Sequence, residues 1–387
     1  MRLLFIGPSF TQHAVRHLNL VAATGHEVHF ASITPDAIAP GFSAAVHFHF
    51  APPLRLDEDA AFPVTDEIKS LFHSFGMSVT NLGDWLATLI DDLTPDAMIA
   101  LSIQYGGYPL ILARPLLANP APPLIVSNWG ADIHFWGDQP LHHEAIRVVV
   151  TPARWLFTVC AADVERTRRY GFTGDLLTVQ TPGGGWDLDV ARALRARGPL
   201  SRRRTLLIKG NHGLVGRGEI AVEAARLAAD ALAGSRIVII TAQAGVPAAA
   251  RRLAAETGIA VEIMPNTPYL EVLAALGHAR AYVGLSLSDA VATTALEALV
   301  MGAFPIQSSP GCVDEWIEDG LSGLIVPPED PEAVAAAIRR AMTDDALIEN
   351  AGEINARTVQ TRLTSERVDA ELLNGYVRVS RELGLPD

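Results

Sequence analysis

Short apolar runs alternate along this chain with stretches in which apolar residues recur every three or four positions. In the first half the runs are RLLFIG (2–7), HEVHFAS (26–32), AVHFHF (45–50), DAMIALS (96–102), PLIVSNW (123–129) and WLFTVC (155–160). Runs of this length and composition read as buried strands. Helical spacing falls between them, over 11–24, 65–93, 108–118 and 161–170. Strands alternating with helices imply βαβ units and a mostly parallel sheet. The Pro-rich segment 34–63 and the turn cluster PGGGWD (182–187) read as loops.

From 183 to about 204 the alternation breaks: three glycines lead into the arginine-rich ARALRARGPLSRRR, which reads as an interdomain linker. A second series follows, with strands TLLIKG (205–210), RIVIITA (236–242), AVEIMP (260–265), AYVGLS (281–286), FPIQ (304–307) and GLIVP (323–327). Helices are expected over 217–233, 246–257, 267–279, 291–302 and 330–343, and the tail from 344 keeps helical spacing. The expectation is two doubly wound α/β domains in tandem. A length of 387 residues agrees, being long for one core. There is no repeat and no low-complexity tract.

Composition narrows the function. A net charge of −13 argues against a general nucleic-acid binder, because no pervasive basic field is available to displace counterions. Two cysteines, Cys160 and Cys312, are too few for a disulfide framework or a cysteine-based zinc cluster, and their apolar and loop contexts predict buried free thiols. MRLLFIGPSF is too quickly broken by Gly-Pro for a secretory signal. No apolar run approaches the roughly eighteen residues of a membrane span. A soluble, cytoplasmic protein is expected. Only Lys69 and Lys209 are lysines, so Lys209 at a strand end stands out.

The most informative stretch is SLSDAVATTALEALVMG (286–302). Asp289 ends the loop after AYVGLS, and Glu297 lies eight positions on, inside the next helix. Ser286, Ser288, Thr293 and Thr294, with the N–H groups near Ala292, add hydroxyls and free donors at a strand's carboxyl end. Ligands bind there in open α/β sheets, and a helix start suits a phosphate. Carboxylates flanking an anion site imply hydroxyls to hold as well, which describes a nucleotide sugar.

A second motif, IKGNHGLVGRGEIAVEAA (208–225), sets Lys209 and Arg217 around a glycine-rich turn that begins at Gly210. Cations so placed could stabilise a departing diphosphate. In the first half, QYGGY (104–108) puts Gln104, Gly106 and Gly107 at a strand end, where glycines permit close backbone approach to a ligand. SNWGADIHFWGD (127–138) supplies Asn128, Trp129, Asp132 and His134. No dinucleotide fingerprint follows the first strand, and there is no G-x-S-x-G elbow. His47 and His49 share a strand face, and His142 and His143 are adjacent, but no third ligand has convincing spacing, so no metal is expected.

The second half resembles the family 4 (group 1) retaining glycosyltransferases of GT-B fold. It carries a counterpart of their E-x7-E pair, with Asp289 in place of the first Glu and Glu297 as the second. LEALVMGAFPIQSSPGCVDEWIEDGLSGLIVPPED is similar to the family pattern almost throughout. The resemblance is strongest over 205–330 and is visible at 102–109, 127–133 and 156–172. It implies two Rossmann-like domains facing across a cleft: an acceptor-side domain over 1–195, a donor-side domain over 205–365, and a C-terminal helix, 366–387, returning to the first. Asp289 would hold the donor sugar and Glu297 the ribose. Lys209 and Arg217, in swapped order relative to the family, would stabilise the diphosphate. Gly210, Ser288, Ala292, Thr293 and Thr294 would complete the donor site, with Gly7 and Ser9 in the loop after the first strand. Asp132 and His134 would orient a hydroxyl, and Gln104, Gly106, Gly107, Asn128 and Trp129 would meet the acceptor. A retaining, metal-independent hexosyltransferase without cofactor is implied, acting on a glycan or lipid-linked acceptor in surface polysaccharide or glycoconjugate synthesis. A non-catalytic nucleotide-sugar-binding partner and a GT-B epimerase are the alternatives. The clusters RTRR (166–169) and RRR (202–204) could touch anionic lipid at the inner membrane face.

Overall fold

A computed structural model describes residues 1–34, 37–51, 82–181, 184–243, 245–265 and 267–385. Most of the loop expected over 34–63, the start of the helix expected over 65–93, and part of PGGGWD lie outside these residues. The fold is α/β, as expected, with two parallel sheets.

The first sheet holds β1 (Arg2–Gly7), β2 (Glu27–Ser32), β3 (Val46–Phe50), β4 (Ala97–Leu101), β5 (Leu124–Ser127), β6 (Ala153–Thr158) and β7 (Asp175–Val179). Its order is β3-β2-β1-β4-β5-β6-β7. The second holds β8 (Thr205–Lys209), β9 (Arg236–Ile240), β10 (Ala260–Met264), β11 (Ala281–Gly284), β12 (Phe304–Ser308) and β13 (Leu324–Val326), in the order β10-β9-β8-β11-β12-β13. In each sheet the chain winds outward from a first strand and then crosses to that strand's other side. The switch points are therefore β1/β4 and β8/β11, where an open α/β sheet leaves a crevice at the strands' carboxyl ends.

The chain divides into two compact units, residues 1–184 with 368–387, and residues 185–367. Helices cover both faces of each sheet, so the central strands are buried on both sides and read as continuous apolar runs. The last helix, Ser365–Glu382, contributes Tyr376 to the first unit's core. Tyr376 is fully buried, packs near Phe5 and Phe157, and its hydroxyl lies 2.7 Å from His17 Nε2.

The division at 184/185 falls inside the stretch 183–204 expected as an interdomain linker, but residues 188–204 pack on the second unit. The helix Leu188–Leu194 buries Ala191 in the second unit's core beside Trp186, and Arg203 Nη1 donates to Ala279 O at 3.1 Å. Its arginines hid the packing because a few small apolar residues are enough to seat a short helix. Cys160 and Cys312 are buried, but neither is a free thiol. Local context foretold their burial and carries no information on oxidation state. Among the described residues no helix is long and apolar enough to cross a membrane.

Candidate functional site

Lys209 closes β8, and the loop after β11 carries Asp289, so adjacent central strands deliver both groups to the second unit's switch point. Lys209 Nζ lies 4.0 Å from Asp289 Oδ2, and both side chains keep about a quarter of their surface exposed (22% and 26%). Burial pushes the Asp289 carboxyl up, and Lys209 pulls it back down. The loop itself is held by serines: Ser286 N donates to Ser308 Oγ at 2.9 Å, and Ser308 Oγ to Ser286 O at 2.8 Å. Asp289 also bridges to Gly311, where any β-carbon would strike the Asp289 carbonyl.

Helix Thr293–Met301 starts just beyond, with Ala292 as its cap residue, no side-chain cap and no acid in the first turn. Its leading N–H groups therefore carry the helix's partial positive charge without an internal partner. Glu297, one turn further in, is 6% exposed. Three buried polar atoms nearby have no hydrogen-bond partner: Ser288 Oγ, Tyr282 Oη and Gln307 Oε1. The Tyr282 hydroxyl is raised well above its ordinary pKa by burial, then by the charges of Asp289 and Glu297. It and Gln307 Oε1 close over Gly284, so that any side chain there would meet both. Tyr282 and Gln307 escaped the sequence reading because a strand pattern reports them as core.

Arg217 is bound within its own loop. Its Nε donates to Glu329 at 3.0 Å, and its Nη1 to Gly213 O at 3.0 Å and Gly216 O at 2.9 Å. It ties down the loop between β8 and the helix Gly218–Leu227. Gly210 answers a packing need, since a β-carbon would lie 2.8 Å from Ile239 and 2.9 Å from Ala242.

In the first unit, most of the expected contacts turn inward. Ser9 is fully buried, and its hydroxyl lies within bonding distance of Thr34 O, Ala37 O and Ser32 Oγ. Gly7 makes room for Leu101. Gly106 and Gly107, in the π-helical turn Ile103–Gly107, fit against the Ile6 carbonyl and Val149, so the close approach they permit is to protein. Asp132 organises this end of the sheet. Its Oδ1 accepts from Ser102 Oγ at 2.9 Å, and its Oδ2 from Ile103 N at 2.7 Å and Trp129 N at 3.0 Å. Ser102 is thereby held at φ 72°, a strained value for serine. Gln104 Nε2 donates to the Asp132 carbonyl at 3.0 Å. His134 Nε2 lies 3.2 Å from Asp163, which also accepts from Asn128 Nδ2 at 2.8 Å. Asp163, fully buried, was missed because an acid in a helix's first turn normally reads as a surface charge. Trp129 Nε1 donates to Ser127 Oγ at 3.1 Å.

His47 and His49 do have a third imidazole beside them. His29 of β2 stacks on both at 5.1 and 5.2 Å, because β2 and β3 pair with His29 opposite His47.

Burial pushes His17, His134 and His142 down to about 4. Each stays neutral in the fold where an unfolded chain, near 6.5, takes up a proton. Their contribution is whole above about pH 6.5 and is lost as pH falls toward 4. Asp132, raised to about 7 by burial against its three donors, opposes them over much of that window. His26 and His49, also lowered by burial, act with the three, and Asp289, raised by burial, acts with Asp132, so the unfolding temperature is expected to fall between pH 7.5 and 5. The slope should flatten in His17→Gln. A midpoint that rises on acidification would contradict this balance.

Comparison with known proteins finds a family match within the second unit. Residues 219–358 match the family model of the glycosyl transferases group 1. The match contains Asp289 and Glu297 and ends inside the helix Asp345–Arg362. No curated protein matches the chain in sequence. The whole chain is similar in structure to sucrose-phosphate synthase from Thermosynechococcus elongatus, with TM-score 0.71 and 15% identity over 99% of this chain and 100% of the other. It is similar to a glycosyltransferase from Rickettsia africae, with TM-score 0.67 and 13% identity over 100% and 99% of the two chains. It also resembles Anabaena HepE in complex with UDP-glucose, with TM-score 0.67 and 11% identity over 98% and 100%. At these identities the likeness establishes the fold, GT-B.

Proposed function

We propose that this protein is a retaining, metal-independent hexosyltransferase of family 4 that moves a sugar from a nucleoside-diphosphate donor to a glycan or lipid-linked acceptor. The observation that carries the reading is the Lys209–Asp289 pair at the β8/β11 switch point, beside an uncapped helix start and a buried glutamate. Lys209 and the N–H groups of Thr293 and Thr294 would hold the diphosphate, while Asp289 and Glu297 would take sugar and ribose hydroxyls. Unpartnered Ser288 Oγ supports a ligand here, since buried polar atoms in native proteins are almost always satisfied. HepE, similar in fold, is known in complex with UDP-glucose, and a structure of TarM from S. aureus contains UDP and a GlcNAc-glycerol.

In the proposed step the bond between the anomeric carbon and the diphosphate oxygen breaks. The acceptor oxygen bonds to the same face of the sugar, and its proton passes to the departing phosphate. Arg217, committed to Glu329 and its own loop, would set the loop's shape rather than meet the phosphates. We assign acceptor recognition to the strand-end loops of the first unit, with Asp132 and His134 acting through the loops they organise. No cofactor is required by this chemistry. Cytoplasmic surface polysaccharide or glycoconjugate synthesis is the setting we favour, with peripheral membrane contact through Arg168 and Arg169, which are exposed.

The test is a thermal-shift series with nucleoside diphosphates and nucleotide sugars, with and without magnesium. One nucleotide family should raise the melting temperature by a few degrees regardless of magnesium, and Glu297→Ala should abolish the shift. Folded protein that responds to no donor would refute the reading.

A further inference from the structure

Arg203 belongs to a cluster expected to face solvent or lipid, yet it is only 9% exposed. Its Nη1 donates to Ala279 O at 3.1 Å and Gly302 O at 3.4 Å, and its Nη2 to Ala196 O at 3.4 Å. Arg195, partly buried, donates through Nη2 to Val300 O. The Nε of each guanidinium is buried without a partner. Among the described residues neither arginine has a carboxylate at ion-pair distance; every acceptor named above is a backbone carbonyl.

Both arginines line a cavity of about 300 Å³ in the second unit, walled also by Leu200, Leu299, Glu349 and Glu353. That is within the range of small-molecule sites. Neither acid pairs directly with the two arginines. Glu349 Oε1 accepts from Ser201 N at 2.8 Å and Oγ at 2.6 Å, while Glu353 lies 3.9 Å from Arg357. Burial, with Arg195 beside it, lowers Arg203 to about 10 against the opposing pull of Glu349, and burial lowers Arg195 as well. Desolvated cations with no carboxylate in direct contact are costly unless something fills the gap.

We propose that this cavity is a second ligand site, taking a small multivalent anion that carries phosphate or carboxylate groups. Such an anion would meet the guanidinium groups of Arg195 and Arg203 that line the cavity, in the paired N–H geometry guanidinium offers these ligands. The carbonyls of Val300 and Gly302 mark the far end of helix Thr293–Met301, whose first turn carries the candidate donor groups. The two sites thus lie at opposite ends of one helix about 13 Å long. Arg203 also caps that helix's last carbonyls, so its removal risks the fold, and the test leaves it in place.

The experiment is calorimetric titration of the full chain with inorganic phosphate, pyrophosphate and citrate. Wild type should bind at least one of them at this site. Arg195→Gln should weaken that binding by about tenfold or more. Ala356→Trp, which fills the cavity while leaving both cations, should abolish it. Lys209→Met should leave it intact. The proposal is overturned if wild type binds none of the three, if both cavity variants bind as wild type does, or if binding disappears in Lys209→Met. The last result would assign the anion to the candidate donor site instead.

Discussion

Lys209→Met is expected to slow sugar transfer by about two to three orders of magnitude, mostly in kcat. A single preorganised group aimed at developing charge is worth roughly 3–4 kcal/mol in a partly dry site. Lys209 is the only lysine of the second unit, and Arg217 is bound to Glu329, so no neighbouring arginine of that loop can stand in for it. The substitution also strips Asp289 of the cation that holds its carboxyl down, leaving burial to push it further up. Lys209→Arg should recover part of the rate, because charge is kept while point-charge geometry is lost. Rates measured at saturating donor for the three proteins would decide it. If Lys209→Met retains a third or more of wild-type turnover, the lysine's place is structural.

The second large effect lies far in sequence from any candidate ligand. Tyr376→Ala should destabilise the first unit by about 3–5 kcal/mol, the usual cost of emptying a buried aromatic position. Tyr376 is fully buried near Phe5, Phe157 and His17. Tyr376→Phe keeps the ring and loses only the 2.7 Å contact with His17 Nε2, so about 1–3 kcal/mol is expected. Denaturant unfolding of the three proteins provides the comparison. Equal stability for all three would mean that the last helix adds little to the first unit.

The strand runs were legible because parallel strands covered on both faces carry almost no polar alternation. β7, DLLTV, was not read as a strand. It is an edge strand, half-exposed along most of its length, and its pattern is correspondingly weak. Strand-end positions for Lys209 and Asp289 were legible for the same reason, since each follows directly from where an apolar run stops. The ion pair that Arg217 makes was not, because its partner Glu329 lies 112 positions away. Gly106 and Gly107 advertised a close approach correctly, but only the fold reveals that Ile6 and Val149 are what approach.

The sequence by itself determined the α/β class, the alternation of elements, and a carboxylate pair beside a helix start, all written in contacts among residues close along the chain. The tertiary structure alone decided the strand order that puts β8 next to β11. It also decided which polar groups are already satisfied by protein, as in Ser9 and Asp132, and which atoms are left over, as in Ser288 Oγ and the Nε of Arg195 and Arg203. Hydrogen-bond satisfaction depends on partners brought in from tens to hundreds of residues away, and no local pattern carries that information.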